Sequence, residues 1–368
     1  MRLWRVILIV NLALARGMLG RPGAGLLPIR GHSNVQGVGS VGVSPGLKAE
    51  FARRLEEAYG IRMPAGEGLH TLASLEAAAR GEIDFAFLLG GNLFGASPDR
   101  TFSGAALQRI GTTVSVTTKL NEGHVHGRGQ WALVLPTLAR DEERECTTQE
   151  SMFSYVRVST GGAAAASDEM LSEVEIIATL AANVLPPGPL DFAAMRGHGA
   201  LRAAIARVVP GYEQIAAVDA AGHGEFVIPG RRVVGGAVAT ASGRAAARVT
   251  PAPEAALGED ELRLMTLRSE GQFNTVVYEE EDFYRGNERR DVVMLNEDDA
   301  RARGLRRDQR VRVANPTGHL DVLVRFAPLP PGNAAMYYPE ANVLIPRIAD
   351  PESGTPVFKS TTARITPL

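Results

Sequence analysis

The stretch Ile83-Asp-Phe-Ala-Phe-Leu-Leu-Gly-Gly-Asn92 decides the fold class of this chain. Its first part is a nearly continuous apolar run, and two glycines and an asparagine follow directly. A short buried strand that ends in a glycine-rich turn is typical of a parallel sheet covered by helices. We therefore predict an α/β fold in which a strand ends at Gly90.

Alternating strands and helices surround this stretch. Apolar residues recur at helical spacing on both sides of it, and two further β-rich runs follow. The predicted helices are 46–60, 71–80 and 101–109, and the predicted strands are 83–89, 112–118 and 131–135. This order indicates βαβ units with right-handed crossovers. Ligands of such sheets bind beyond the carboxyl ends of the strands, where this sequence has Gly90, Gly91, Asn92 and Thr118.

The texture of the sequence changes after residue 260. Short alternating strands are predicted at 264–267, 291–295, 309–314 and 320–326. Alternation with a turn every 8–12 residues is typical of a β-barrel or sandwich. Pro251-Ala-Pro253 reads as a linker. We predict two domains, an α/β region over 1–255 and a β-rich domain over 262–368.

Composition excludes several classes of protein. The 368 residues carry 39 Lys and Arg against 41 Asp and Glu, for a net charge of −2. This balance gives no electrostatic reason to expect nucleic acid or an anionic membrane as a partner. The single cysteine, Cys146, excludes a disulfide framework or a Cys-ligated cluster built from this chain alone. It fits a reducing compartment, so we expect a cytoplasmic protein.

The first fifteen residues permit two interpretations. A basic start, a short apolar run and an Ala-Leu-Ala ending resemble a secretory signal peptide. The alternative is a buried helix that continues to Arg16 and ends at Gly17. Asn11 interrupts the apolar run, which is also too short to cross a bilayer. We favour the buried helix and expect no membrane span.

Two further segments carry candidate site residues. Residues 17–45 are glycine-rich with interspersed polar side chains, a composition that lets a ligand approach the backbone or forms an ordinary structural loop. On a strand, His124 and His126 would share a face and could hold a metal. No Cys or carboxylate lies nearby at ligand spacing, so we favour a loop role and predict no metal ligand in this chain.

The assembled motifs resemble one family. The matching stretches, in order, are NLALARGMLGRPGAG, PIRGHSNVQG, LLGGNLFGASPD, TTKLNEGHVHGRG, TASGRAA, LRSEGQFNT, LNEDDARARGL, PPGNAAMYYPEANVLIP and TPVFKSTTARI. They resemble the carboxyl-terminal half of a molybdopterin-dependent oxidoreductase of the dimethyl-sulfoxide-reductase superfamily, nearest to formate-dehydrogenase-like alpha subunits. Residues 165–235 match least. The resemblance implies a parallel-sheet molybdopterin-binding region followed by a carboxyl-terminal double-psi-like β-barrel, and it makes residues 3–17 an internal helix.

The resemblance also implies catalytic residues. Arg30 falls on the family's arginine beside the metal, where a guanidinium can hold a carboxylate such as formate. A phosphate-binding or structural arginine is the alternative. His32, Asn34 and Gln36 follow as pocket or pterin contacts. Formate dehydrogenases have a different residue at the position of His32, which leaves the substrate open.

Further residues are implied to bind the cofactor. Gly90, Gly91 and Asn92 match the loop that receives its diphosphate, and Thr118 lies where many relatives carry an acidic residue. The remaining positions match the barrel loop at the pterin and the segments that complete the site: Arg268, Gln272, Asn274, Asn342 and Lys359. Each could instead be an ordinary polar loop residue.

The implied cofactor is molybdopterin guanine dinucleotide with molybdenum or tungsten. In the family, the protein ligand of the metal and any [4Fe-4S] cluster come from the amino-terminal half, which the resemblance does not cover. Cys146 lies in a charged loop outside the matching motifs. We therefore expect a formate-like substrate and either a partner chain or a missing amino-terminal half. The alternative is a non-catalytic molybdopterin-binding or assembly protein, or one half of a split gene.

A nicotinamide dehydrogenase is disfavoured. No G-x-G-x-x-G follows a first strand with an acidic residue at the distance that a dinucleotide-binding fold requires.

Overall fold

The structure is a computed structural model that describes residues 3–29, 31–230, 238, 240–249, 257–351 and 354–368. Two sequence predictions lie outside the described residues. One is the predicted catalytic Arg30, and the other is the proline linker at 251–253.

Most of the helices lie in the first two thirds of the described chain, and α10 lies in the last third. They are α1 (Leu3–Ala15), α2 (Val35–Ser40), α3 (Ala49–Tyr59), α4 (Thr71–Arg80), α5 (Leu93–Ala96), α6 (Arg100–Gln108), α7 (Gly123–His126), α8 (Glu173–Val184), α9 (His198–Val208) and α10 (Glu297–Ala302). Short 3₁₀ turns cover Ala194–Arg196, Glu213–Ala217 and Glu340–Leu344.

The strands fall into three groups along the chain. The first is β1 (Phe85–Leu89), β2 (Thr112–Thr117) and β3 (Trp131–Pro136); the second is β4 (Thr147–Glu150), β5 (Tyr155–Ser159) and β6 (Phe226–Val227). The third is β7 (Leu262–Leu267), β8 (Val292–Leu295), β9 (Arg310–Ala314), β10 (His319–Phe326), β11 (Asn333–Tyr337) and β12 (Thr361–Pro367).

The first group forms the predicted parallel sheet. Its order is β1-β2-β3, with Phe85 in register with Thr112 and Thr112 in register with Trp131. Helices α4 and α6 pack against one face through Leu75 and Leu107. All three strands run the same way, so their carboxyl ends meet at one edge, and Gly90 lies at that edge.

The second group forms an antiparallel sheet, β4-β5-β6, that sequence analysis did not predict. Its core contains Val156, Val208, Tyr212 and Phe226. The strands cover only a few residues each, and a long helical segment separates β5 from β6, so no extended alternation marks them in the sequence.

The third group closes into a barrel in the order β10-β8-β11-β7-β12-β9. Two strand pairs, β10 with β8 and β11 with β7, are parallel, and the remaining pairs are antiparallel. Alternate residues of β7 face inward, and Leu262 and Leu264 are fully buried. The predicted carboxyl-terminal barrel of the double-psi type is confirmed.

The amino-terminal segment is helical, and α1 ends two residues before Gly17, which has the positive φ of a helix cap. The expectation that this helix is buried is wrong, because Ile9 is 60% and Leu12 64% exposed. Ala13 of this helix is buried. No helix within the described residues combines the length and the apolar character needed to cross a bilayer.

Candidate functional site

The turn after β1 has the backbone geometry of a ligand-binding loop. Gly90 and Gly91 have φ values of 65° and 75°, which side-chain-bearing residues rarely adopt. Asn92 begins α5, and its Oδ1 accepts a hydrogen bond from the Gly95 amide at 2.8 Å. Its Nδ2 donates to the Thr275 carbonyl at 3.2 Å. The buried Asn92 thus connects the sheet edge to the segment at Thr275, while Gly90 and Gly91 are exposed on the surface.

A carboxylate faces this turn from α8. A Cβ built on Gly90 would lie 3.9 Å from Oε1 of Glu173, the first residue of that helix. Among the described residues, nothing donates a hydrogen bond to the Glu173 side chain. Burial raises the pKa of its carboxyl. Glu173 and the exposed Thr118 line one cavity of about 440 Å³.

Glu173 is not among the site residues predicted from the sequence, because the order of residues along the chain does not show that this segment reaches the end of β1. One signal could have pointed to such a carboxylate: Thr118 stands where many relatives carry an acidic residue, so another element could supply it. In the structure, the carboxylate of Glu173, from a different element, lines the same cavity as Thr118.

Positive charge gathers on the barrel side. The guanidinium carbon of Arg268 lies 5.3 Å from the centroid of the Tyr338 ring, and the guanidinium donates to Asn274 Oδ1 at 3.4 Å. Lys359 donates from Nζ to the Thr266 carbonyl. Partial burial and the neighbouring Arg268 lower the pKa of Lys359. Two cations at this rim suit an anionic ligand.

The loop that contains His32 reaches the same rim. A Cβ on Gly31 would lie 3.9 Å from a guanidinium nitrogen of Arg268. The His32 ring stands edge-on to Phe273, with 4.6 Å between ring centroids. Its Nε2 is buried and has no hydrogen-bond partner among the described residues. Burial, aided by Arg268, lowers the pKa of His32, so the imidazole is neutral at neutral pH.

Gln272 organises the barrel loop. Its Nε2 donates to the carbonyls of Asn274 at 2.6 Å and Tyr338 at 2.7 Å. Its Oε1 accepts from Arg290 at 3.2 Å. These bonds occupy the side-chain amide within the protein, so it shapes the loop that presents Asn274, whose φ is 51°.

Asn342 connects the barrel to the sheet. It is fully buried, and its Nδ2 donates to the Gly95 carbonyl at 2.7 Å. Its Oδ1 is buried and has no partner in the described parts of the chain. Tyr338 adds a hydrogen bond from its hydroxyl to the Ala96 carbonyl at 3.5 Å. The two predicted groups of site residues are therefore joined through α5.

Asn34 and Gln36 lie apart from the barrel cluster. Asn34 begins α2 with a φ of 60°, and its Oδ1 accepts from the Glu150 amide at 3.0 Å. Asn34 lines the same cavity as Thr118. The segment 31–36 thus extends from the barrel rim at His32 to the wall of the cavity, with Gln36 in the first turn of α2.

The strand geometry considered for His124 and His126 is wrong, because α7 is a helical turn and these residues do not share a strand face. The His124 Nδ1 accepts a hydrogen bond from the Asn121 amide at 3.0 Å. Within the described residues, no group of three His, Cys, Asp or Glu side chains could hold a metal. Cys146 is half-buried, and burial raises the pKa of its thiol.

Known proteins resemble this chain in sequence and in fold. Residues 262–362 match the family described as the molydopterin dinucleotide binding domain. An uncharacterized oxidoreductase of Mycobacterium bovis is 36% identical over 98% of this chain and 48% of its own length. A putative formate dehydrogenase of Bacillus subtilis is 40% identical over 22% of this chain and 9% of its own length.

A solved structure shares the fold. Acetylene hydratase from Pelobacter acetylenicus superposes with a TM-score of 0.61 at 15% identity, over 87% of this chain and 50% of that protein. These findings support the assignment of the chain as a carboxyl-terminal region of a molybdopterin oxidoreductase. The family predicted from the motifs is confirmed, and this molybdopterin oxidoreductase region spans about half the length of the curated relatives it matches.

Proposed function

We propose that this region binds molybdopterin guanine dinucleotide between the edge of the parallel sheet and the rim of the barrel. The observation that carries the proposal is the convergence of His32, Arg268 and Lys359 at one rim. These residues are distant in sequence, and two of them are cations that suit phosphate or an anionic pterin substituent.

The residues present fit such a group. Within the part of the chain that the structure describes, the buried Nε2 of His32 has no partner, and burial of such an atom is unfavourable unless a ligand or water satisfies it. The two exposed glycines after β1 allow close approach of a diphosphate to the backbone. Glu173 offers two acceptor oxygens, which match the N–H donors on one edge of a guanine.

Each of these residues then has a distinct task. Arg268 and Lys359 neutralise the anionic cofactor. Neutral His32 offers one donor and one acceptor to the pterin or to the substrate. Glu173 takes the role expected of an acidic residue at the position of Thr118. When bound, the cofactor supplies two-electron redox chemistry, and the protein supplies its orientation and electrostatics.

The activity we propose is that of a formate-dehydrogenase-like oxidoreductase acting on a small anionic substrate. The segment similar to a putative formate dehydrogenase supports this substrate class. Arg30 would anchor the substrate carboxylate, directly before the loop that carries His32. The metal ligand and any iron–sulfur cluster would come from polypeptide outside this chain, as would the exit path of the electrons.

A non-catalytic cofactor-binding protein is the second candidate. It is favoured by the placement of the single cysteine, Cys146, which lines the cavity with Thr118 and makes no contact with the barrel rim among the described residues. This candidate predicts cofactor content without turnover, whereas the first predicts both once the remaining polypeptide is supplied.

The test is to express the chain in a molybdopterin-producing host and to quantify pterin and GMP released by acid from the purified protein. Wild-type protein is expected to carry both. Arg268→Met should reduce the content about tenfold, the loss expected from about 1.4 kcal/mol of binding energy. Arg263→Met, an exposed arginine on β7, is the matched control.

Absence of both pterin and GMP from the wild-type protein would refute the proposed function. Equal content in the Arg268 and Arg263 variants would refute the assigned site but leave cofactor binding intact.

A further inference from the structure

The charged loop that contains Cys146, residues 140–146, forms part of the wall of the cavity of about 440 Å³ that also contains Thr118 and Glu173. The loop lies between β3 and β4. Three of its side chains line the cavity, namely those of Arg140, Glu143 and Cys146. Displacement of this loop would therefore open the cavity on that side.

Three contacts hold the charged loop against the start of α9. The Glu145 carboxylate accepts a hydrogen bond from the His198 amide at 2.8 Å. The Nε2 of His198 lies 3.6 Å from a carboxylate oxygen of Glu143. Arg202, one turn further along α9, donates to the Cys146 carbonyl at 2.7 Å. All three contacts join the same two segments, so movement of the loop away from α9 breaks them together.

A glycine turn contacts the backbone of the same loop. The Gly162 amide donates to the Glu143 carbonyl at 3.0 Å, and the Ala163 amide donates to the Asp141 carbonyl at 2.8 Å. Gly161 has a φ of 65°, and a Cβ at this position would overlap the Glu143 carbonyl oxygen. The turn contributes no charged side chain. Glu143 is therefore held by the turn through its backbone and faces α9 through its carboxyl group.

The Glu143 carboxyl group is buried in acidic surroundings. Glu143 is 8% exposed. The groups that face it are His198 of α9, Glu175 and Glu173 of α8, and Glu145 of its own loop. Burial raises the pKa of the Glu143 carboxyl, His198 opposes this shift, and the three carboxylates add to it. The ionised form of Glu143 is therefore unfavourable while the loop is in place.

Protonation of Glu143 favours the closed loop. An ionised carboxylate is disfavoured in a buried position, whereas in a displaced loop water would hydrate it. A protonated carboxyl can also donate its O–H to the His198 ring. The closed loop thus binds a proton on Glu143 more tightly than a displaced loop does. Closure is strengthened as the pH falls through the raised pKa and is weakened as the pH rises above it.

We propose that the charged loop is a pH-dependent gate on this cavity, held closed through the contact between Glu143 and His198 when Glu143 is protonated and released when Glu143 ionises. The gate controls access to the part of the cavity that contains Glu173. Its effect on the cofactor rests on the proposed function, which assigns Glu173 to the guanine. Its movement depends only on contacts within this chain.

The test uses Cys146 as a reporter, because it is the single thiol of the sequence and is half-buried on the cavity wall. The rate of its alkylation by iodoacetamide is measured on the cofactor-free chain. At alkaline pH, Glu143→Gln should react about fivefold more slowly than the wild type, because it removes the cost of a buried charge from the closed loop. Asp141→Asn, at an exposed carboxylate of the same loop, is the matched control and should react as the wild type does.

The pH dependence is expressed as the ratio of the wild-type rate to the Glu143→Gln rate. The charges that act on the Cys146 thiol are those of Arg202, Asp219 and Glu145, which both proteins contain, so the ratio cancels thiol ionisation. The ratio should approach one as the solution is acidified, because wild-type Glu143 then also loses its charge. A ratio of one at alkaline pH, or a ratio that grows on acidification, would overturn the proposal.

Hydrogen exchange followed by mass spectrometry provides a second measurement that does not involve the thiol. The amides of Gly162 and Ala163 are bonded to the loop and should exchange more slowly in Glu143→Gln than in the wild type at the same alkaline pH. Amides of the barrel strand β11 are the internal reference for a change in global stability. Equal exchange at the two loop-bonded amides would overturn the gate. Absence of pterin and GMP from the purified protein would refute the proposed function and leave both measurements unchanged.

Discussion

At the residue scale, Arg290 holds the barrel rim together. It is 2% exposed on its side chain and pairs with Glu340 at 2.5 Å. The same guanidinium donates to Ser269 Oγ at 2.7 Å and to the Tyr338 carbonyl at 2.7 Å. The planar guanidinium of Arg290 thus connects the loop that contains Gln272 to the segment after β11. Lysine could not make these bonds together.

Replacing Arg290 by Met should destabilise the chain by about 3 kcal/mol, because it breaks a buried ion pair and leaves Glu340 without its partner. Chemical denaturation measures the change in the free energy of unfolding. Arg290→Lys keeps the charge but loses the planar set of N–H donors. Its free energy of unfolding should lie between those of the wild type and Arg290→Met. A loss below about 1 kcal/mol for Arg290→Met, the worth of a surface pair, would contradict this role.

Glu173 should make a pH-dependent contribution to stability. Its pKa in the folded state is raised by burial above the ordinary value of 4.5, so the charged form disfavours folding at neutral pH. Glu173→Gln should therefore be more stable than the wild type at neutral pH. As the pH falls through the raised pKa the wild-type carboxyl protonates, and the difference should close.

Denaturation curves at neutral pH and near pH 4.5 measure this difference, with the exposed Glu169→Gln as control. A gap that is absent at neutral pH, or that widens on acidification, would contradict the assigned burial.

At the element scale, α8 is positioned by its own first turn. The Ser172 Oγ accepts from the Glu175 amide at 3.0 Å, and the Glu175 carboxylate accepts from the Ser172 amide at 2.8 Å. This reciprocal capping box fixes the start of the helix. Because Glu173 is the first helical residue, the cap also fixes the carboxylate that faces Gly90.

Ser172→Ala should cost about 1 kcal/mol of unfolding free energy, the usual worth of an N-cap. It should also lower the GMP content of the purified protein, because the first turn of α8 loosens around Glu173. Ser167→Ala is the control, since the Ser167 Oγ accepts a similar bond at 3.2 Å outside any helix. Equal stability of the two variants would contradict the importance of this cap.

At the scale of the whole molecule, the barrel and the parallel sheet are fastened through α5 and α6. Asn342 bonds to the Gly95 carbonyl, and the Asp99 amide donates to the Ile345 carbonyl at 2.8 Å. Arg347 donates to Asp99 Oδ2 at 3.2 Å. The proposed site lies on both sides of this contact, so the contact determines whether the cofactor residues face one another.

Asn342→Ala should lower the free energy of unfolding by about 1–3 kcal/mol, because a buried carbonyl loses its donor. The barrel and the sheet should then unfold in separated transitions in differential scanning calorimetry. Asn333→Ala removes amide contacts of 3.0 Å that stay within the barrel and should leave the transitions as in the wild type. If Asn342→Ala unfolds in a single transition like that of the wild type, Asn342 does not couple the unfolding of the barrel to that of the sheet.

The sequence by itself determined the family and part of the secondary structure. Apolar runs and glycine turns are local signals, so the strand before Gly90, the helices around it and the barrel strands β7 to β10 followed from periodicity, and the motifs pointed to the molybdopterin oxidoreductases. The barrel strands β11 and β12 were not predicted. The cofactor roles of Gly90, Gly91, Arg268 and Lys359 remain predictions that the geometry supports.

Tertiary structure decided which polar residues stay available to a ligand. The side-chain amides of Asn92, Gln272 and Asn342 form hydrogen bonds within the protein, because burial demands partners for polar groups, and the cofactor roles of these residues stay predictions. Glu173 read as an ordinary helix residue and instead faces the end of β1 without a donor among the described residues. Spacing along the chain does not encode such contacts, because they depend on how distant elements pack.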